Sequence, residues 1–271
     1  MKLRYLVNSV IAIAVFGVLI ISCKNKNQNN GFVKLHNSKN WTGWYLKIRS
    51  GDMEMANKVY SIEDDMIHVF NDQFPDSINL NTGKNDTHGL FYTKKKYSKF
   101  ILRFEYKWGT KIANNFDKFQ YDAGCYYHVT DDKIWPKGIE YQVRYNHIKN
   151  ENHTGDFWAG NLLQWYTAEG GNTFLNPDKG GILQPMKNGE HLASKPSKFN
   201  GLNDKWNKCE VIVMGDKYCI HKLNGEIVNM GVNLKVSEGI IGFQSETAEI
   251  FYRNIEIKEF DKELPIGEFL D

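Results

Sequence analysis

Across residues 139–145, Glu140, Gln142 and Arg144 alternate with Ile139, Tyr141, Val143 and Tyr145. Successive side chains of an extended strand point to opposite faces, so this carboxyl, carboxamide and guanidinium share one face. By the same count, segment 120–129 puts Asp122, Tyr126 and His128 on one face, with Gly124 leaving room between them. As neighbours, the two strands would merge these faces into one polar floor. Such a floor can exchange protons and stabilise a developing anion. A merely solvated face is usually built from Lys, Thr and Ser, so this row reads as a ligand site. His128 alone would read as a histidine satisfied within the sheet; its expected nearness to Glu140 makes it a candidate.

The row also limits the chemistry. Hydrolysis of an ordinary glycoside takes two carboxyls flanking the scissile bond. Jelly-roll glycosidases of the laminarinase type carry Glu-x-Asp-x-x-Glu on one strand, whereas this strand reads Glu140-Tyr-Gln142-Val-Arg144. No second carboxylate is expected on that face, so unmodified glycosides should not be hydrolysed by that route. Lys94-Lys95-Lys96 reads as a solvated turn. His88, His147, His153, His191 and His221 lack motif spacing and receive no role.

The elements that must position these groups are strands. Phe100, Leu102, Phe104, Tyr106 and Trp108 alternate with Ile101, Arg103, Glu105 and Lys107. Segments 208–214 and 217–223 read as a hairpin, Asn224-Gly225 as a turn, and 239–244 and 249–260 as closing strands. No window supports a long amphipathic helix. Many short strands separated by Gly, Asn and Asp predict an all-β chain, a jelly-roll β-sandwich. The turn-rich stretch 160–205 is expected to hold short strands and arch over one face. There Trp165 and Tyr166 either contact a ligand or pin the loop to the body.

Composition excludes one class. Two of the 34 basic residues lie in the first 22 positions, and none of the 32 acidic ones does, so the remainder is near neutral. A nucleic-acid binder would carry a basic surplus. Aromatics make up 14% of the chain, which suits both a β-sandwich core and sugar stacking. Past Cys23 the cysteines are Cys125, Cys209 and Cys219, an odd set read as free, mostly buried thiols. A two-residue turn near residues 214–217 would put Cys209 and Cys219 on opposite faces. No Cys-x-x-Cys or His/Cys cluster argues for zinc.

At the N-terminus, Lys2 and Arg4 precede an apolar run, 10–21, that closes on Ser22-Cys23. The run is short for a bilayer span and resembles a bacterial lipoprotein signal. That resemblance implies cleavage before Cys23, acylation of its sulfur and a membrane tether in the cell envelope. The expected organisation is a signal over 1–22, a polar flexible tether over 23–31 and one domain over 32–271. The tether lacks an acidic cluster after Cys23, which favours the periplasm-facing side of the outer membrane.

A family resemblance runs along most of the chain. Phe32-Val-Lys-Leu35-His-Asn37-Ser-Lys39, with Gly43-Trp44, matches the opening motif of the 3-keto-disaccharide hydrolase family of concanavalin A-like jelly rolls. Trp135-Pro136 with Glu140-Tyr-Gln142, then Gly155-Asp156-Phe157-Trp158, match its central elements. Trp206-Asn207, Leu223-Asn224-Gly225, residues 239–246 and Phe251-Tyr-Arg253-Asn254-Ile255 follow in order. Asp122-Ala123 replaces the usual Asn-Ser.

The resemblance implies cleavage of glycosides already oxidised to a ketone at C3, which removes the need for a second carboxylate. Glu140 or His128 would be the base and the other the acid, with Gln142, Arg144 or a bound divalent cation stabilising the enolate. Asp156 would orient the histidine or bind hydroxyls, with Asp122 beside it, and Trp135 or Trp158 would stack on the sugar. A cleft joining Asp122, His128, Glu140, Gln142 and Asp156 is therefore expected. The partners implied are a glycoside or oligosaccharide and, through the lipid, a membrane. A non-catalytic carbohydrate-binding lipoprotein is the alternative, and a flat polar face without a cleft would favour a structural surface protein.

Overall fold

Period-two alternation builds this molecule, and the faces it creates decide where everything else sits. The computed structural model describes residues 30–74, 86–113, 120–187 and 189–270. The expected signal, the lipidation at Cys23 and nearly all of the tether lie outside the described residues. Among the described residues, no helix is long and apolar enough to cross a membrane.

The strands in chain order are β1 (Val33–Lys34), β2 (Trp44–Ile48), β3 (Tyr60–Glu63), β4 (Met66–Val69), β5 (Gly89–Thr93) and β6 (Lys99–Ile112). Then come β7 (Gln120–Val129), β8 (Ile139–Asn146), β9 (Glu151–Asn152), β10 (Phe157–Trp158), β11 (Gln164–Thr167) and β12 (Ile182–Pro185). The last are β13 (Asn207–Met214), β14 (Tyr218–Leu223), β15 (Glu226–Val232), β16 (Ile240–Ser245) and β17 (Ala248–Glu259). One short helix, α1 (Met53–Val59), starts at Asp52, whose carboxylate accepts from the Glu54 and Met55 amides.

These strands form a jelly-roll sandwich of two antiparallel sheets. The ten-stranded sheet runs β12-β11-β15-β14-β13-β6-β17-β4-β3, with β1 beside β17. The seven-stranded sheet runs β10-β8-β7-β16-β5-β2, with β9 beside β8. Between them lies one apolar core. Phe104 of β6 meets Phe243 of β16 edge-on at 5.0 Å and Tyr141 of β8 at 5.8 Å. Ala123, Cys125, Tyr127 and Val143 are buried beside them. A fully buried phenylalanine of this kind contributes enough that Phe104→Ala should cost about 3–5 kcal/mol. Because the odd-numbered positions of β7 and β8 fill the core, their even-numbered partners must face away from it.

One expectation needs correction here, and a second is made specific. In the β13–β14 hairpin Val213 faces Cys219 and Cys209 faces Leu223, so the turn has three residues, and Gly215 supplies the positive φ of 58°. That extra residue brings Cys209 and Cys219 onto the same inward face, both buried as free thiols. Segment 160–205 does hold short strands, β11 and β12, which extend the edge of the ten-stranded sheet, while its residues 190–193 reach β10 of the other sheet. Trp165 is buried, with its ring edge-on to His191 at 4.6 Å, so it pins the segment to the body.

Candidate active site

The antiparallel register brings the polar positions together. Tyr126 of β7 lies opposite Glu140 of β8, Gly124 opposite Gln142, and Asp122 opposite Arg144. Directly opposed residues in an antiparallel pair share a face, so Asp122, Tyr126, Glu140, Gln142 and Arg144 form one patch on the outer side of the seven-stranded sheet. Trp158 of β10 extends the same row, because it lies opposite Glu140. Gln244 of β16 arrives from the other side. A β-carbon on Gly124 would sit 2.1 Å from Glu140 Oε1 and 2.5 Å from Gln244 Oε1. The missing side chain at 124 is therefore the space into which both groups reach.

Glu140 is buried, and loss of hydration raises its pKa to about 8, helped by the nearby Asp122 and Asp156 carboxyls. The Tyr126 hydroxyl donates to it, which opposes the shift without cancelling it. Glu140 is thus a neutral acid at pH 7. Gln244 Oε1, directed at the same space beside Gly124, is a buried acceptor with no donor of its own. The Gln142 amide donates to Asp122 Oδ1 at 2.6 Å and to the Ala123 carbonyl at 2.7 Å. Burial holds Asp122 up at about 6, although Arg144 and His153 pull it down.

Loops complete the site with groups that strand alternation does not reveal. His153 Nδ1 donates to Asp156 Oδ2 at 3.1 Å, and Asp156 Oδ1 accepts from the Ala193 amide at 2.6 Å. Burial raises the Asp156 pKa, with His153 and Ala193 opposing it. Arg144 contacts Glu190 through Nη2, and its Nη1 is 3.9 Å from Asp122 Oδ2. Glu246, just past β16, is pushed well above the usual carboxylate range by burial and by Asp122 and Glu140. His88 Nδ1 lies 3.8 Å from Glu246 Oε1, and the same imidazole meets Trp135 edge-on at 5.5 Å.

The structure therefore unites Asp122, Glu140, Gln142, Arg144, Asp156 and Trp158, and brings Trp135 to the rim. It does not place His128 there. His128 has φ +51°, and the register between β7 and β16 slips by one residue beside it. This bulge turns the imidazole inward, where Nε2 donates to the Ser98 carbonyl at 3.2 Å and the ring packs against Phe100. Burial lowers its pKa to about 4, leaving a neutral core histidine. The histidine of the site is His153, three residues before Asp156. The absence of a second carboxyl holds only for strand β8, since Asp122, Asp156, Glu190 and Glu246 arrive from other elements. His153, Asp156 and Glu190 offer one nitrogen and two carboxyl oxygens within 4.8 Å of one another, a donor set that fits a divalent cation.

Fold and site define a class: a jelly-roll sandwich with a buried acid, a guanidinium and an Asp–His pair on one sheet face. The chain belongs to the 3-keto-α-glucoside-1,2-lyase-like domain family, whose model matches residues 31–258. Among solved structures it is similar to a putative glycosyl hydrolase from Parabacteroides distasonis, at 20% identity over 86% of this chain and 95% of that one, with a TM-score of 0.51. A second putative glycosyl hydrolase from that organism shows 16% identity over 80% and 100% of the two chains, TM-score 0.46. The carbohydrate-binding module CBM66 from Bacillus subtilis shows 12% identity over 81% and 98%, TM-score 0.44. No curated protein matches.

Proposed function

We propose that this protein cleaves glycosides whose sugar carries a ketone at C3, by elimination across C1 and C2 followed by addition of water. The observation that carries the reading is the grouping of a neutral acid, Glu140, a cation, Arg144, and an Asp156–His153 pair on one sheet face. Membership of the lyase-like family supports it.

A C3 ketone acidifies the C2 proton. With Nδ1 donating to Asp156, His153 presents Nε2, which lies 4.0 Å from Glu151 Oε2, and takes that proton. Negative charge then appears on the C3 oxygen, which Arg144 stabilises. The electron pair forms a C1–C2 double bond as the C1–O bond breaks, and Glu140 gives its proton to the departing oxygen. Water adds hydroxyl at C1 and hydrogen at C2 of the resulting enone, so the net change is hydrolysis. A divalent ion held by His153 Nδ1, Asp156 and Glu190 would supply a Lewis acid beside Arg144, but it would take the place of the Nδ1 proton and so would exclude His153 as the base. Turnover lost to a chelator and restored by metal would bring that ion into the reaction; unchanged turnover leaves Arg144 as the stabiliser.

The deciding measurement compares 4-nitrophenyl 3-keto-α-glucoside with its unoxidised parent. Release of nitrophenol from the keto substrate alone is expected, with about 10²–10³-fold loss in His153→Ala. Equal release from the parent would instead support a two-carboxylate glycosidase, a reading favoured by Glu246 and Asp122 facing Glu140. Sugar binding without any release supports a non-catalytic carbohydrate-binding protein. The proposed setting is the cell envelope, through a lipid on Cys23. Incorporation of an alkynyl fatty acid that disappears in Cys23→Ala is the expected result, and unchanged incorporation overturns it.

A further inference from the structure

The site is two-sided, and Glu140 marks the boundary. On one side along the strands lie Gln142, Asp122, Arg144 and the His153–Asp156 pair. On the other, a cavity of about 370 Å³ opens between Tyr126, Pro136, Gly138, Trp158 and Leu162, with Asn161 at its edge. Trp158 and Tyr126 occupy the positions directly opposite Glu140 on its two neighbouring strands. Their β-carbons therefore lie within about 5.5 Å of that of Glu140. Trp158 is 38% exposed, so part of its ring is open to a ligand. Gly160, with φ +54°, turns the chain just beyond it and helps to shape the wall.

From this arrangement we infer that the Tyr126–Trp158 cavity is the leaving-group subsite, and that it takes a six-membered ring, pyranose or aryl, stacked on Trp158. The inference rests on the 3-keto-glycoside reading and adds a direction to it. The ketone-bearing ring needs the guanidinium and the Asp–His pair, so it lies on the polar side. The departing oxygen must meet the Glu140 proton, so whatever it carries points across the boundary. A flat ring suits that side because an indole face binds the C–H face of a pyranose or the face of an aryl group. The rim donor at Asn161 suits hydroxyls, so pyranose leaving groups should be accepted as well as aryl ones.

The test compares three 3-keto-α-glucosides, with methyl, 4-nitrophenyl and glucosyl leaving groups, in wild type, Trp158→Phe and Trp158→Ala. Wild type should prefer both ring-bearing substrates over the methyl one. In Trp158→Ala that preference should fall about tenfold, mostly through KM, and Trp158→Phe should restore most of it. A proportional loss on all three substrates, or no loss, overturns the subsite. If wild type cleaves none of them, the elimination reading falls, and the subsite is then judged by calorimetric titration with unoxidised 4-nitrophenyl α-glucoside. Binding that weakens about tenfold in Trp158→Ala upholds ring binding in this cavity and removes only its leaving-group role; equal binding by wild type and variant overturns the cavity as a site.

Discussion

The outer faces of the two sheets carry similar residue types but opposite electrostatics. Across the ten-stranded sheet, Lys222, Glu210, Arg103, Glu256 and Lys34 lie in one cross-strand row, so the sign alternates at every step. A second row runs Lys208, Glu105 and Arg253, and Arg253 Nε donates to Glu105 Oε2 at 2.7 Å. Each charge there has an opposite neighbour, and water reaches the row. Across the seven-stranded sheet, Asp122, Glu140, Asp156, Glu190 and Glu246 crowd around the Arg144 guanidinium and the His153 ring. Burial then raises several of those carboxyls towards neutrality. The back face also holds the larger cavity, about 500 Å³ beside Arg103 and Glu210. The candidate site is thus distinguished by unbalanced, dehydrated charge rather than by cavity size or charge density.

Substitutions on each face test that contrast. Glu140→Gln removes the acid and should lower kcat on a 3-keto glycoside by about 10³-fold with the fold intact. Activity within tenfold of wild type would falsify its role as the proton donor. The same variant tests the dehydrated charge through stability. Between the ordinary carboxyl range and about 8, folded Glu140 stays protonated while the unfolded chain ionises, so stability should fall as pH rises through that window. Wild type should lose on the order of 4 kcal/mol more than Glu140→Gln between pH 5 and pH 9, as read by urea unfolding, because the raised Asp122, Asp156 and Glu246 carboxyls act in both proteins. Parallel pH profiles for the two proteins would mean that Glu140 is hydrated.

Arg144→Met should cost about 10²-fold in kcat, because it removes charge from the developing enolate. A change confined to KM would make Arg144 a ground-state contact only. On the back face, Arg103→Met should shift stability by less than about 1 kcal/mol and leave turnover within twofold. A larger effect on turnover would erase the distinction between the faces.

The strand pattern carried the fold because alternation survives without tertiary knowledge. Residues 139–145 alternate, and Glu140, Gln142 and Arg144 duly share the site face. His128 went astray because a single bulge reverses which way every later side chain points, and the local sequence gives no sign of it. His153, Glu190 and Glu246 sit outside strands, where period two has nothing to say. The spacing His153-Thr-Gly-Asp156 was the one clue to the pair. The hairpin at Gly215 shows the same sensitivity, since one extra turn residue moved Cys219 across the sheet.

Gly124 has a consequence for how this site can be lost. It offers no proton, charge or hydrogen-bonding side chain, so a search for reactive groups passes over it. Yet the smallest substitution, Gly124→Ala, adds one methyl group where the Glu140 carboxyl and the Gln244 carboxamide already stand. A single-nucleotide change at that codon would therefore push the ends of those two side chains aside with every reactive group still encoded. A relative that keeps every reactive group can still arrange them differently if the gap at this position is filled.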